Sequence, residues 1–243
     1  MRRPRLLLWV VPVLVAGCAA SEQRAPDILL FNGRGTSRGD VAAVEDILRD
    51  SGLRYSTANS ARLDAISESE LKTYRLLVIP GGNFVDVGNG LTTRTTTKLR
   101  SAIGSGLGYL GLCAGAFVAG ASPYNGLNLT NGVMFPFYAL ENRGIRKAPV
   151  FVTTAAGATL EVYWEDGPQL TGWGQPVARY PDATPAVVQG SFGDGWVVLT
   201  GVHPEAPESW RRPLSFTTRA GPSQAYAAAL IEAALHRKPL PHD

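Results

Sequence analysis

The chain has 243 residues, of which 45% are hydrophobic and 18% are charged. This is an ordinary globular balance with enough apolar material for one sizeable core. The 23 Lys and Arg residues slightly outnumber the 20 Asp and Glu residues. Three of the arginines lie within the first five residues, so the rest of the chain is close to neutral. A neutral chain lacks the basic surface that attracts nucleic acid, and we expect no nucleic-acid partner.

The first 18 residues are typical of an export signal. Arg2, Arg3 and Arg5 precede an apolar run, 6–16, that is too short to span a membrane. The run ends in Val-Ala-Gly-Cys18, which resembles the lipobox of bacterial lipoproteins, where the cysteine sulfur receives a diacylglycerol after cleavage. We therefore predict a signal peptide over 1–17, lipidation at Cys18 and a tether over 18–26. An uncleaved anchor or an ordinary signal peptide is the alternative.

The lipid would also set the location of the protein. Palmitate-type acyl chains on Cys18 would make the membrane a partner and hold an exported protein to the cell envelope. Ala19 follows the cysteine, where aspartate marks inner-membrane retention in many Gram-negative lipoproteins. In an organism with an outer membrane, the sequence therefore favours that membrane.

Apolar runs of strand length alternate with helix-like segments in the first half of the remaining chain. The predicted strands are 27–31, 55–58, 75–79 and 108–112, and the predicted helices are 41–50, 92–105 and 114–121. Alternation of this kind indicates βαβ units and a mostly parallel sheet. The runs are apolar on both faces, as in strands that helices cover from two sides. We predict one α/β domain over 27–238.

The second half has a different pattern. Short β segments at 150–153, 160–163, 186–188 and 196–199 are separated by glycine and proline, before a final helix over 223–236. We interpret this half as a β-rich elaboration of the same domain that supplies the walls of its binding pocket.

A cysteine between glycines is the first candidate for chemistry. Residues 111–115 read Gly-Leu-Cys-Ala-Gly, directly after a predicted strand. Gly111 and Gly115 would permit the sharp strand-to-helix turn on which a nucleophile is presented. The positive end of the following helix would favour the thiolate of Cys113. A structural cysteine in a tight turn is the alternative.

A histidine near the end of the chain is the second candidate. His203 follows the strand at 196–199 in the segment Gly-Val-His-Pro-Glu205. Residues two apart in an extended segment point the same way, so Glu205 can orient the imidazole while His203 faces Cys113 as a base. The other histidines, His236 and His242, lie in a polar tail and are expected to be solvated.

These motifs together resemble a known family. The segments Val78-Ile-Pro-Gly-Gly82, 111–117 and 201–205, with the loop 32–37, are similar to the biotin–protein ligase N-terminal-domain family of class I glutamine amidotransferase-like proteins. The resemblance implies a flavodoxin-like fold and a Cys113–His203–Glu205 triad.

The resemblance also implies an oxyanion hole and sets limits on the activity. Backbone amides of Gly82 and Ala114 would form the hole, with Gly81 and Gly115 at the adjoining turns. We expect no biotin ligase domain, because the chain ends 40 residues after His203. We also expect no cofactor, and no glutamine hydrolysis to feed a synthetase.

Three hypotheses for the function follow. The first is an envelope enzyme that hydrolyses or transfers an acyl group from an amide or ester through a thioester on Cys113. The second is a noncatalytic module that binds a small molecule or peptide in the same cleft. The third is an inert scaffold that retains the motif. One histidine and one free thiol do not make a structural metal site, so no metal is expected. The Gly-x-Gly-x-x-Gly pattern at 106–111 precedes a strand, and we assign it no nucleotide role.

Overall fold

The computed structural model describes residues 26–243. The predicted signal peptide, the lipidation site Cys18 and the tether up to residue 25 lie outside the described residues. Within the described part, no helix combines the length and the apolar character that a membrane crossing requires.

Nine strands form one continuous sheet in the described part of the chain. They are β1 Ile28–Phe31, β2 Tyr55–Ala58, β3 Leu76–Ile79, β4 Gly108–Leu112, β5 Lys147–Thr154, β6 Thr159–Glu165, β7 Gln175–Arg179, β8 Pro185–Phe192 and β9 Gly195–Thr200. Their order is β2-β1-β3-β4-β9-β8-β7-β5-β6. The five strands from β2 to β9 are parallel, and each later pairing is antiparallel.

Helices connect the parallel strands and follow the last one. They are α1 Arg38–Asp50, α2 Ser60–Ala65, α3 Glu68–Leu71, α4 Phe84–Asn89, α5 Thr93–Gly104, α6 Ala114–Ala119, α7 Glu208–Arg211 and α8 Gly221–His236, with a 3-10 turn at Glu141–Arg143. The sequence prediction missed α2, α3, α4 and α7, because four to six residues contain too few turns for an apolar period to show. It also missed β7.

The parallel core is covered by helices on both faces. In β1, Ile28 and Leu30 pack into a cluster with residues of α1 and α8, whereas Leu29 and Phe31 pack into the cluster that contains residues of α5. All four side chains are essentially inaccessible to solvent. Burial on both faces explains the uninterrupted apolar strands. The predicted fold class, a mostly parallel α/β core flanked by helices, is confirmed.

The β-rich second half extends the same sheet. Strands β5 to β8 continue it beyond β9, and the end of β6 returns to the parallel strands through an isolated bridge between Tyr163 and His203. Parallel strands present their carboxyl ends at one edge of a sheet, where loops can converge. The extension therefore brings β6 against the edge that carries His203.

A buried ionic clamp attaches the segment between β9 and α8 to the extension. The Glu161 carboxylate on β6 accepts hydrogen bonds from the amides of Thr217 (3.0 and 2.8 Å) and Thr218 (2.7 Å). The Arg211 guanidinium stacks 3.8 Å from the Phe216 ring and donates to the carbonyl oxygens of Glu161 (3.2 Å) and Thr218 (2.8 Å). The clamp positions α7, which also carries a pocket residue described below.

We predict that Glu161→Gln destabilises the protein by about 2–4 kcal/mol, because buried donors then face a weaker acceptor and Arg211 loses its counter-charge. The free energy of unfolding in urea measures the effect. The backbone amides lower the pKa of Glu161 against the opposing effect of burial, so its stabilisation disappears as the pH falls below about 4. Glu232→Gln, on the exposed face of α8, is the matched control and should change stability by less than about 0.5 kcal/mol.

Candidate functional site

Cys113 lies on a strained turn between β4 and α6. Its backbone has φ 45° and ψ −98°, a conformation that a residue with a side chain rarely adopts. The Cys113 amide donates to the carbonyl of Thr200 at 2.8 Å, which ties the turn to the end of β9. This is the geometry of a nucleophile elbow, in which neighbouring elements hold one strained residue at a sheet edge.

Two glycines make the elbow sterically possible. A Cβ atom at Gly111 would lie 2.6 Å from the carbonyl carbon of Gly115, and one at Gly115 would overlap the carbonyl oxygen of Ile79. The Tyr109 hydroxyl on β4 donates to the Gly115 carbonyl at 2.7 Å, and this hydrogen bond stabilises the turn. Both glycines are therefore required by close backbone approach, as the sequence pattern predicted.

The Pro-Gly-Gly loop after β3 approaches the elbow from the neighbouring strand. Gly82 has φ 144°, a conformation that favours glycine. The loop is held against the segment that follows β1, because Ser37 N donates to Gly81 O at 3.0 Å and Asn83 N donates to Gly35 O at 2.8 Å. Gly82 itself is exposed. The oxyanion-hole role of its amide therefore stays a prediction from the resemblance.

The His203 imidazole lies between two buried carboxylates. Its Nδ1 is 2.9 Å from Oε1 of Glu205 and 3.0 Å from Oδ1 of Asp40. The Glu205 contact has good hydrogen-bond geometry, whereas Asp40 Oδ1 and His203 Nε2 lack a well-aligned partner within residues 26–243. Since Nδ1 is engaged by the acids, Nε2 is the nitrogen left for proton exchange with a substrate or thiol.

Asp40 was not predicted from the sequence. It lies in the first turn of α1, where Ser37 caps the helix by accepting from the Asp40 amide at 3.3 Å. An acidic residue three positions after a serine is usual at a helix start, so the pattern indicates capping rather than a functional site. A Cβ atom at Gly81 would overlap Asp40 Oδ1 and lie 2.6 Å from His203 Cε1. Gly81 therefore makes room for the pairing, a role beyond the predicted turn.

Burial and mutual charge set the ionisation of this group. Burial opposes ionisation of Asp40, but the nearby His203 lowers the Asp40 pKa below its usual value. Burial raises the pKa of Glu205 despite the same imidazole. The pKa of His203 is well above its ordinary value, because the charges of Cys113, Glu205 and Asp40 outweigh its burial. The carboxylates thus make the imidazole a stronger base.

The pKa of the Cys113 thiol is raised, whereas a depressed pKa was expected for a nucleophile. Burial raises the pKa of Cys113, and the charges of Asp40 and Glu205 add to this effect, whereas His203 lowers the pKa through its charge and a hydrogen-bonding contact. The sulfur also lies 3.5 Å from the main-chain oxygen of Glu165, an acceptor that disfavours a thiolate. The sequence indicated that the helix after Cys113 would favour the thiolate, whereas burial of the thiol favours its neutral form.

The acids and the imidazole also form one candidate metal-binding group in the described part of the chain. Ligand atoms of Asp40, His203 and Glu205 all lie within 4.8 Å of one another. Carboxylate oxygen and imidazole nitrogen are ligands that divalent ions accept. No sequence motif connects Asp40 with His203 and Glu205, so this group was not predicted.

A pocket of about 410 Å³ opens beside the imidazole. Its walls, which include Asp40 but not Cys113, are Ser37, Gly39, Asp40, Lys147, Tyr163, Glu165, Trp210, Pro213 and Leu214. The rings of Tyr163 and Trp210 lie 5.8 and 6.1 Å from the His203 ring, between centroids. Lys147 pairs with Glu165 at 2.9 Å on the rim. The walls contributed by β5 and β6 agree with the predicted role of the second half.

Comparison with known proteins relates these residues to a family. Residues 26–128 match the family model described as "Biotin-protein ligase, N terminal". The chain is 24% identical over 213 residues to the biotin–protein ligase of Schizosaccharomyces pombe, with 74% of this chain and 33% of the ligase aligned. The chain thus spans about a third of that relative's length. The family model includes Cys113 and Gly82 and ends before His203.

Solved structures share the fold. An exo-β-1,4-mannosidase from Opitutaceae bacterium strain TAV5 aligns with TM-score 0.58 and 16% identity, over 85% of this chain and 36% of that one. A glutamine amidotransferase from Thermotoga maritima aligns with TM-score 0.52 and 16% identity, over 86% of this chain and 96% of that one. At these identities the comparisons establish a class I glutamine amidotransferase-like fold.

We predict that Gly81→Ala destabilises the protein by about 1–3 kcal/mol, because the added methyl group overpacks the contact between Asp40 and His203. Thermal unfolding and urea titration measure the loss. Gly221→Ala is the matched control, since a Cβ atom there meets no heavy atom within 4 Å. Equal stability of the two variants would show that the space beside Asp40 is not restrictive.

We predict that Asp40→Asn lowers the pKa of His203, as followed by NMR of the imidazole nitrogens. It should also cost about 1–3 kcal/mol of stability, because a charged hydrogen-bonding partner is removed. The Asp40 contribution is present above about pH 4 and is lost as the pH falls, since its folded pKa is lowered. The His203 contribution is complete below about pH 6.5 and is lost as the pH rises through its raised pKa.

The difference in stability between wild type and Asp40→Asn should therefore be largest between about pH 4 and 6.5. Asp46→Asn is the control, because Asp46 lies on the exposed side of the same helix with 60% of its side chain accessible. A His203 pKa that is the same in wild type and Asp40→Asn would contradict the pairing.

Proposed function

We propose that the chain, whose residues 26–128 match the biotin–protein ligase N-terminal family model, is a member of that family and a cysteine-nucleophile hydrolase or acyltransferase of the cell envelope. It acts on an amide or ester through a thioester on Cys113. One observation carries the proposal: the strained elbow holds Cys113 within electrostatic and hydrogen-bonding reach of His203, whose Nδ1 lies 2.9 Å from the Glu205 carboxylate. A structural cysteine requires neither feature.

In the first half-reaction, His203 removes the proton of the Cys113 thiol through Nε2. The sulfur attacks the substrate carbonyl carbon, a C–S bond forms, and the carbonyl electrons move to the oxygen. Amides of Gly82 and Ala114 would stabilise this oxyanion. The tetrahedral intermediate then collapses, the bond to the leaving amine or alcohol breaks, and His203 returns its proton to that group.

In the second half-reaction, water or an acceptor nucleophile gives its proton to His203 and attacks the thioester. The C–S bond breaks, and the proton goes back to the sulfur. Glu205 and Asp40 stabilise the imidazolium that forms in both halves. Because the acids raise the pKa of His203 and burial raises that of Cys113, the pair must lose one proton above neutral pH before it reacts.

The envelope location is part of the proposal and is supported by the leader sequence. A lipid on Cys18 would be joined to β1 by a tether of roughly ten residues, a span of at most about 35 Å when extended. The substrate would then be a small molecule or peptide available at the membrane surface. We do not propose that this chain ligates biotin as the yeast ligase does, since it aligns with only 33% of that ligase.

A noncatalytic binding module is the second candidate function. Two observations favour it: Cys113 is only 5% exposed, and the pocket of about 410 Å³ is lined by Asp40, Tyr163 and Trp210 rather than by the thiol. In that case the pocket would bind its ligand whether or not position 113 carries a sulfur.

Acylation of Cys113 distinguishes the two functions. We predict that 4-nitrophenyl acetate forms an acetyl thioester on Cys113, detected by mass spectrometry after acid quench, at a rate that increases with pH above neutrality. His203→Gln should lower the rate constant about 10²–10⁴-fold, because the general base is lost. His236→Gln is the matched control, since His236 is 48% exposed and pairs with Glu232. EDTA should have no effect.

Two results would overturn the proposed reaction. One is an acylation rate that is the same in wild type and His203→Gln. The other is a native Cys113 that never reacts faster than the same thiol in urea at any pH. Loss of acylation in EDTA would instead indicate a metal ion at Asp40, His203 and Glu205.

A further inference from the structure

A cluster of aromatic rings lies beside the elbow and has no part in the chemistry described above. Phe84 stacks on Phe117 with ring centroids 4.5 Å apart and meets Tyr124 at 5.9 Å and Phe137 at 6.0 Å. Phe117 and Phe137 are 4.9 Å apart. We call these four residues the aromatic cluster.

The aromatic cluster is partly open to solvent. Tyr124 and Phe137 are 42% and 37% exposed, and they are two of the four large apolar side chains that are exposed within residues 26–243. A third, Met134, is 62% exposed and lies three residues before Phe137. Contiguous exposed rings on a folded domain commonly mark a surface that binds an apolar group.

Three segments near the thiol contribute to the cluster or contact it. Phe84 follows the Gly82 loop by two residues. Phe117 lies in the first turn after the elbow, where its amide donates to the Cys113 carbonyl at 3.1 Å. Phe137 forms an isolated β-bridge with Pro168. Pro168 lies three residues after Glu165, whose main-chain oxygen contacts the Cys113 sulfur.

We propose that the aromatic cluster binds the acyl group of the substrate and selects an apolar or aromatic acyl chain. This inference rests on the proposed function, because it names the substrate class of the same site. In a thioester mechanism the acyl carbonyl lies at the oxyanion amides, and the leaving group lies at the imidazole that protonates it. Phe84 and Phe117 of the cluster closely follow the oxyanion residues Gly82 and Ala114 in the chain. The pocket with Lys147 and Glu165 lies next to the imidazole.

The two sides differ in chemistry. On the acyl side the cluster offers aromatic faces without a charged side chain of its own. On the leaving-group side, the pocket offers Ser37, Asp40 and the Lys147–Glu165 ion pair together with Tyr163 and Trp210. The substrate is therefore an amide or ester that joins an apolar acid to a polar amine or alcohol.

The test measures how acylation of Cys113 depends on acyl chain length. Rate constants for acylation by 4-nitrophenyl acetate, butyrate and hexanoate are measured. Each is divided by the rate constant with which the same ester acylates the free thiol of N-acetylcysteine. Each buried methylene can contribute about fourfold, so a partly open surface should favour hexanoate over acetate by about tenfold or more. Phe137→Ala and, as a second variant, Tyr124→Ala should reduce this ratio toward one.

Phe151→Ala is the matched control. Phe151 is 50% exposed on β5 and does not belong to the cluster, so the substitution should leave the ratio unchanged. A wild-type ratio near one, with acetate still acylating Cys113, would overturn the inference and leave the proposed function intact.

Binding provides a readout that does not depend on catalysis. In Cys113→Ser, N-hexanoylglycinamide should bind more tightly than N-acetylglycinamide by NMR titration, and Phe137→Ala in that background should remove the preference. If no ester acylates the wild type but this preference is found, the proposed reaction fails and the acyl-binding surface stands. Equal affinity for the two amides overturns the inference.

Discussion

The site depends on one interaction: a buried imidazole nitrogen that lies within 3.0 Å of two carboxylate oxygens. His203, Asp40 and Glu205 are each less than a tenth exposed. None of them would be stable as an isolated charge at that depth, so each requires the others. Asp40 comes from α1, whereas His203 follows β9, so the interaction joins the first and last connections of the parallel sheet.

Parallel topology explains why these groups meet. Strands β1, β3, β4 and β9 end at one edge, and the connections that follow them supply Asp40, the glycine loop, Cys113 and His203 in turn. Two of these connections leave no room for a side chain, because a Cβ atom at Gly81 would meet the Asp40 carboxylate and one at Gly115 would meet the Ile79 carbonyl oxygen. The edge is therefore rigid, which suits a site that must align a thiol, an imidazole and an oxyanion-binding amide.

The β-rich extension changes the character of this edge. Strand β6 brings Tyr163 beside His203 and the Glu165 carbonyl oxygen to 3.5 Å from the sulfur, and burial at this edge raises the pKa of the Cys113 thiol. The same extension carries Glu161, which through the clamp with Arg211 positions α7 and Trp210. The extension thus covers the thiol and supplies Lys147, Tyr163 and Glu165 to the walls of the pocket that contains Asp40.

The sequence alone determined the parts that depend on local pattern: the apolar parallel strands, the glycine-flanked Cys113 turn, and the pairing of His203 with Glu205 two residues later. Only the tertiary structure decided the rest. It brought Asp40 to His203, where the local pattern indicated only a helix cap, and it raised rather than lowered the pKa of Cys113. Both outcomes depend on burial and on charged residues that are far apart in the chain but close in space. Periodicity and motif spacing do not encode either of these.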